Sequence, residues 1–428
     1  MHAPTPHEEK QGLVRRQLQR MSRVPLMAWL LGALATVLLE YAVGLQLAQM
    51  LGLPKIPVLF GLMIMLKQPL LIPASLVYTA VIYALPIFLC AKLLSRLANR
   101  VAGKLVRFSV LFSAAVHLIL LYIVFHLWTD ISDYRLITLK LMFIAILLTL
   151  SLNVINGYMG EFSCSHPGFM ALGAYGASIF TVGLFSTDRL FGEAVFSGML
   201  TPLFFPVGLL FGGIIASIGA LVIAIPSFKT RGDYLAIISL AFLFIVKSFI
   251  ENLEFLGGPR GFGGQPNWST LPVVFTVTVI GVWVINNFVT STMGKSLNAV
   301  RDDESAAEAM TVDTRKAKIT AFMFGAFWAG VAGGLFAHVL RYVNPATFGL
   351  QKLAEILAMM YFGGLNSVYG SIVGAVSISL LGEALRPLEI YKWIFIPLLL
   401  ILVMIFRPRG MISFTELRPR RLFGPTEE

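Results

Sequence analysis

The sequence predicts an all-α fold, a polytopic membrane helix bundle with about 10–12 transmembrane helices, some of them short or broken. Three observations carry this. Of the 428 residues, 57% are hydrophobic and only 13% charged, against roughly 25% charged in a soluble globular chain. The apolar residues run continuously over stretches of roughly 20, enough to cross a bilayer core. In lipid every backbone N–H and C=O must be paired within the structure, which leaves helices or closed barrels, and continuous rather than alternating runs select helices. Finally, lysine and arginine collect on alternate loops, as they do in helical membrane proteins.

In chain order, the candidate spans are 27–48, 70–91, 106–128, 137–157, 168–186, 202–225, 234–250, 272–290, 317–340, 353–365, 370–386 and 391–406. The run 353–365 is short and ends in Gly363-Gly364, the form of a half-helix surrounded by protein or a cavity. The run 56–66 is too short to span and is read as interfacial or re-entrant. The first 26 residues are polar and basic, and the long apolar segment behind them reads as a signal-anchor helix. Composition shifts near residue 104. Residues 1–104 are expected to form an N-terminal extension with a cytoplasmic tail and about two membrane segments. Residues 105–428 are expected to form the main domain, with dense spans and short Gly-rich loops. No repeat of fixed period is present.

With residues 1–26 placed inside, 22 of the 33 basic residues fall on inside segments and nine on outside loops, with Lys140 and Lys247 within spans. The inside segments include one from Lys92 to Arg107 and the basic tail after Arg407; Arg135 and Lys352 count as outside. Both termini are thus expected in the cytoplasm, and the net charge of +11 is a topology signal that also attracts anionic lipid headgroups. No basic stripe accompanies a nucleic-acid module, so no nucleic-acid partner is expected. Cys90 and Cys164 sit in or beside spans, with neither disulfide nor metal spacing. The six histidines are scattered, and no metal site is expected.

The longest hydrophilic segment between spans, 291–316, has a helix-forming middle. Leu297, Val300, Ala307 and Met310 recur at helical spacing as an apolar face, with Arg301, Asp302, Asp303 and Glu304 as the polar remainder. Such a helix docks into a partner's groove or is simply a solvated connection. Met293-Gly294-Lys295-Ser296 is not a phosphate loop, because Val289 stands where its first glycine is required and a membrane helix precedes it. The chain is therefore not expected to hydrolyse ATP or to bind a cofactor.

The stretch from Asn153 to Tyr175 interrupts the apolar pattern with Asn156, Gly160, Glu161, Ser163, Ser165, His166, Pro167 and Gly168. Small and polar residues let helices approach and bond across one another; they line a pathway equally well. Glu40, Lys140, Lys247, Glu355 and Glu383 are the ionisable residues in or near spans, and such groups usually face a cavity or a partner. Lys140 and Glu383 lie near helix ends and can snorkel. Lys247 lies four residues before Glu251, so a local helix pair competes with a pathway role. Asn153, Asn156, Ser163, His166, Tyr175, Lys247 and Glu355 are the candidate pathway residues. The loop 256–266 has five glycines and two prolines and cannot be helix. On this topology Gly257, Gly258, Pro259 and Gly261 form an external gate, a docking surface for a soluble donor, or a bare connector.

Several segments together resemble the branched-chain amino-acid ABC permease family, specifically the larger of its two partner permeases. They are Arg231-Gly-Asp-Tyr-Leu-Ala-Ile237, Gly257-Gly-Pro-Arg-Gly261, Ala299-Val-Arg-Asp-Asp-Glu304 with Lys318-Ile-Thr-Ala-Phe322, Ala329-Gly-Val-Ala-Gly333, Phe362-Gly-Gly-Leu-Asn-Ser-Val-Tyr-Gly370 and Arg407-Pro-Arg-Gly410. The resemblance covers roughly residues 137–415. It implies an importer in the bacterial inner membrane with a second homologous permease, two cytoplasmic ABC ATPases and a periplasmic substrate-binding protein. It assigns 291–316, and chiefly Ala299, Val300, Arg301, Asp302, Asp303 and Glu304, to ATPase coupling. The implied substrates are branched-chain amino acids, with urea or short amides as the alternative within the same architecture. The chain departs from the family at Glu161 (commonly Gln), Ser165 (commonly Gly), Phe244 (often Glu) and Thr311 (commonly Gly). Two rivals of other classes are an ion-coupled secondary transporter, for which Glu355 is the one available carboxylate, and a membrane enzyme, for which no nucleophile–base pair is present.

Overall fold

The computed structural model describes residues 24–53, 56, 68–186, 192–196, 201–227, 234–386, 389–407 and 410–425. The polar N-terminal tail, most of the run 56–66 and the Arg231-Gly-Asp part of the motif lie outside them. The described chain is helical, with a single two-stranded pairing. Nine of the described helices are long and apolar enough to cross a membrane: α1 (Leu26–Met50), α2 (Ile72–Phe108), α3 (Val110–Asp130), α4 (Asp133–Met159), α5 (His166–Phe185), α6 (Thr201–Ile225), α7 (Tyr234–Glu251), α8 (Leu271–Thr290) and, after two short helices, α11 (Thr314–Leu340). The short ones are α9 (Thr292–Asp302) and α10 (Glu304–Ala309). Then follow α12 (Leu350–Gly363), α13 (Val368–Ala384), α14 (Glu389–Phe406) and the single turn α15 (Pro419–Leu422). Strand β1 (Phe262–Gly263) pairs antiparallel with β2 (Tyr342–Val343), Phe262 opposite Val343.

The spans follow the expected order, with three differences. The basic segment from Lys92 to Arg107, expected as an inside loop, continues α2 as helix to Phe108. It contains no proline and one glycine, so nothing local ends the helix before Ser109, whose extended backbone starts α3. Pro167 and Gly168, expected within the interruption of the apolar pattern, instead begin α5, where a proline without an N–H is favoured; the break is at 160–165. Arg135, expected in an outside loop, lies in the first turn of α4 and is buried.

Two compact units emerge, residues 1–136 with 417–428, and residues 137–416. The composition shift near residue 104 falls inside α2. In the first unit α1 and α2 pack closely through small residues: Gly32 faces the Ile87 backbone, and Ala28, Ala91, Ala98 and Ala102 are buried. The carboxylate of Glu40 lies buried at its centre. Arg135 donates to it twice, at 2.8 and 3.1 Å, and Tyr83 at 2.6 Å. Tyr78, 3.5 Å from Glu40, is five residues before Tyr83. The intervening π turn, Ala80–Ala84, has the i→i+5 spacing that brings both hydroxyls to one side. Glu40 thus has the ionic partner that an intramembrane carboxylate requires.

In the second unit α4, α5 and α11 are the most buried spans, with 72, 67 and 72% of the residues in their apolar stretches buried. Helices α5 and α11 meet each other, and α6, backbone to backbone. A Cβ on Gly173 would collide with the backbone of Gly330, and one on Gly330 would stand 2.6 Å from the Cβ of Ala216. Small residues at such crossings are what lipid-embedded helices use in place of a hydrophobic driving force.

Candidate functional site

The break between α4 and α5 organises one end of the second unit. The last turn of α4, Val154–Met159, is π-helical and wholly buried, and Gly160 ends it in the left-handed region at φ 79°. Asn153 reaches from this turn to the α12–α13 connection. Its amide donates to the Ser371 hydroxyl at 2.6 Å and the Ser367 carbonyl at 3.1 Å, while its oxygen accepts the Asn366 N–H at 3.0 Å. Any Cβ on Gly157 would occupy the space of the Asn153 side chain. The same connection receives the residues just after the C-terminal motif: Met411 and Ile412 donate their N–H groups to the carbonyls of Phe362 and Gly363 at 3.0 and 2.8 Å. Two signature segments that are far apart in sequence are therefore one structural joint.

The segment after α8 closes over this break. It is two helices, because Asp303 adopts an extended conformation (φ −160°) and caps α10, accepting from the Ala306 N–H at 3.0 Å. Leu297, Val300 and Ala307 are buried against their own chain, as is Gly294. Met310, expected on the same face, is 77% exposed, since the restart at Asp303 shifts the helical phase. Ala299, Asp302, Asp303 and Glu304 are exposed and Val300 is buried. Arg301 donates to the Gly157 carbonyl at 3.3 Å, pairs with Asp302 at 2.8 Å and lies over the Phe414 ring. Lys318, in the first turns of α11, holds Glu161 of the break at 2.8 Å and Glu304 of the segment at 2.9 Å.

The other end carries a cavity of about 630 Å³ between α4, α12, α13 and the residues after α11. Its wall is apolar along Leu141, Ile144, Leu148 and Met359, and polar at Tyr342, Asn344, Gln351, Lys352, Glu355 and Glu383. Lys352 and Glu355 pair at 2.8 Å, one turn apart on α12, and Lys352 also lies 5.7 Å from the Phe336 ring centre. The glycine-rich loop sits beside this end as two 3₁₀ turns and β1. Gly257 and Gly258 have positive φ, as does Gly261, packed on the Val343 carbonyl; Pro259 is the middle residue of the second turn. Tyr342 donates its hydroxyl to the Arg260 carbonyl.

Of the candidate pathway residues, Glu355 lines the cavity. Lys247 pairs with Glu251 at 3.8 Å and borders a small crevice with Gly168 and Phe348. Asn153 is taken up by the joint. Asn156 accepts the Ser163 N–H at 3.2 Å, and the Ser163 and Ser165 hydroxyls meet at 2.8 Å. His166 is fully buried, edge-on to Phe169, and Tyr175 donates to the Val343 carbonyl at 3.3 Å. Cys164, between the spans, is buried, and desolvation pushes its thiol pKa above the ordinary value. Sequence reading missed Tyr342, Asn344, Gln351, Lys352 and Ser379. The Lys352/Glu355 spacing, i and i+3 at the head of a helix, was the available signal. Among the described residues no group of three His, Cys, Asp or Glu side chains comes together as metal ligands would.

Comparison with known proteins gives concordant matches. The sequence model of a family described as "Branched-chain amino acid transport system / permease component" matches residues 134–405. The chain is 29% identical over 308 residues to the high-affinity branched-chain amino acid transport system permease protein LivM of Escherichia coli (strain K12), covering 64% of this chain and 68% of the relative. LivM of Salmonella typhimurium matches with the same identity and coverage. The probable branched-chain amino acid transport permease protein LivH of Methanocaldococcus jannaschii is 30% identical over 134 residues, 31% of this chain and 40% of the relative. No solved structure matches the chain.

Proposed function

The chain belongs to the family of branched-chain amino acid transport system permease components, and from that premise we propose that it is the membrane subunit of an ATP-driven importer of leucine, isoleucine and valine. ATP is hydrolysed by two partner ATPases in the cytoplasm. A second homologous permease completes the path, and a periplasmic binding protein delivers the substrate at the end bearing the 257–261 loop. The chain lies in the bacterial inner membrane with both termini in the cytoplasm.

The cavity carries this reading. It sets a paired ammonium and carboxylate, Lys352 and Glu355, beside an apolar wall. That arrangement suits a zwitterion with a branched apolar side chain: the charged groups take over part of the hydration of both termini, and the wall takes the side chain. Urea would leave the apolar wall unused.

Coupling runs through the exposed edge of α9–α10. ATP binding favours one conformation by its differential contacts there, with Asp302, Asp303, Glu304 and Met310 facing the ATPase. Arg301 and Glu304 hand the motion to the α4–α5 break, one through the Gly157 carbonyl, the other through Lys318 and Glu161. Asn153 passes it to α12, whose other turns bear Lys352 and Glu355.

The test is uptake of labelled leucine by the reconstituted assembly, competed by valine and by urea. Leucine uptake should require ATP, and Glu355→Ala should lower it about tenfold, the effect of losing a hydrogen bond to a charged group. Met310→Glu should abolish stimulation of the ATPases while leaving the fold intact. Undiminished uptake by the Glu355 variant removes the cavity from the path, and competition by urea but not valine replaces the substrate.

A further inference from the structure

We propose that the second half of α2, together with the α15 turn, is a binding site for the phosphate headgroups of anionic phospholipid in the cytoplasmic leaflet. This site lies wholly in the first unit and outside the residues matched by the family.

Helix α2 runs unbroken for 37 residues, about 55 Å at 1.5 Å per residue, while the hydrocarbon core is only about 30 Å thick. The part up to Ala91 is apolar apart from hydroxyl groups and fills the core. The remainder must emerge among the headgroups. That remainder carries Lys92, Arg96, Arg100 and Lys104 at every fourth position, followed by Arg107. At 3.6 residues per turn they occupy one arc of roughly 120°, and all five are exposed. Leu97 and Phe108 border the arc and are 59 and 80% exposed. A cationic arc beside an exposed apolar one is the pattern of a helix seated at a membrane surface.

Among the described residues no acidic group supplies the counter-charge. Between Glu40 and Asp130 the sequence has no acidic residue, and among the described residues none of the five cations makes an ion pair. The chain instead adds further cations. The Ser113 hydroxyl donates to the Phe423 carbonyl at 3.0 Å, the Phe423 ring packs on His117, and Pro425 sits beside Gly103. These contacts hold α15, with exposed Arg420 and Arg421, at the same end of α2 and α3. Phosphodiesters of the adjoining leaflet lie at this depth, and each lysine or arginine near an anionic surface strengthens its attraction about fivefold.

The experiment uses the assembled transporter in phosphatidylcholine vesicles containing a minor fraction of phosphatidylglycerol. Photoreactive headgroup analogues of the two lipids are crosslinked and the labelled peptides mapped by mass spectrometry. The phosphatidylglycerol probe should label 92–108 and 417–425 at least fivefold more than the phosphatidylcholine probe, and added salt should reduce the difference. A variant with Lys92, Arg96, Arg100, Lys104 and Arg107 all changed to Gln, which keeps helix propensity, should fall to the phosphatidylcholine level. A variant exchanging Lys for Arg and Arg for Lys at the five positions should retain the preference. Equal labelling by both probes, or a preference that survives in the Gln variant, overturns the site. Displacement by inorganic phosphate assigns it to a free anion, and protection from both probes by the partner subunits assigns it to a protein surface; either result overturns the lipid assignment.

Discussion

Lys318 holds two carboxylates at once, Glu161 at 2.8 Å and Glu304 at 2.9 Å. A lysine ammonium has three donors and no geometric fork, so it can bridge two elements without fixing either rigidly. Glu304→Gln and Lys318→Gln should each reduce ATP-driven uptake about tenfold. The pair should be strongly non-additive in a double-mutant cycle, the double variant being no worse than Lys318→Gln alone. Additive losses would mean the two side chains act separately. Legibility at this scale depended on sequence distance. The Lys247 to Glu251 pair was readable because helix spacing predicts it. The partners of Lys318 lie 157 and 14 residues away, and Glu40 and Arg135 are 95 apart. No periodicity reaches across such gaps. Asn153 likewise reads as pathway or packing from its type alone; only its four backbone and hydroxyl partners separate the two.

Helices were the most legible elements, because apolar run length maps directly onto bilayer thickness. Their ends were less so. Lys92 to Arg107 looks like a loop to a charge count, yet a basic stripe on one helical face leaves the backbone ladder untouched. The 291–316 segment shows the converse failure: one apolar period was read through a point where Asp303 restarts the helix, which moved Met310 to the surface. Just after α10, Thr311 sits at φ 65°, in the left-handed region that costs a β-branched residue about 1–2 kcal/mol. Thr311→Gly should therefore raise thermal stability by about 1 kcal/mol, after the added freedom of the unfolded chain is offset. Thermal unfolding of the purified chain reads this, and a lower midpoint would show that the threonine makes a compensating contact.

The chain offers a cavity and the exposed edge of α9–α10 to which coupling is assigned in the proposal above, and its sequence has no phosphate-binding loop. In liposomes it should show no leucine uptake under a sodium or proton gradient, and uptake should appear when the ATPases, the second permease and the binding protein are added with ATP. Gradient-driven uptake by the chain alone would make it a secondary transporter and overturn the importer reading. One feature constrains how such uptake can work. Where Gly173, Gly212 and Gly330 bring α5, α6 and α11 together, no side chain lies between the backbones. Gly176, Gly208, Gly333 and Gly334 lie one turn away on the same helices, and a Cβ on Gly333 would collide with the Met170 carbonyl, so the close approach extends along the crossing instead of resting on a single point. On the importer reading proposed above, the three would act as a keel, and opening and shutting of the path would fall to α12 and α13, swinging on the joint stitched by Asn153 and carrying the charged wall of the cavity with them.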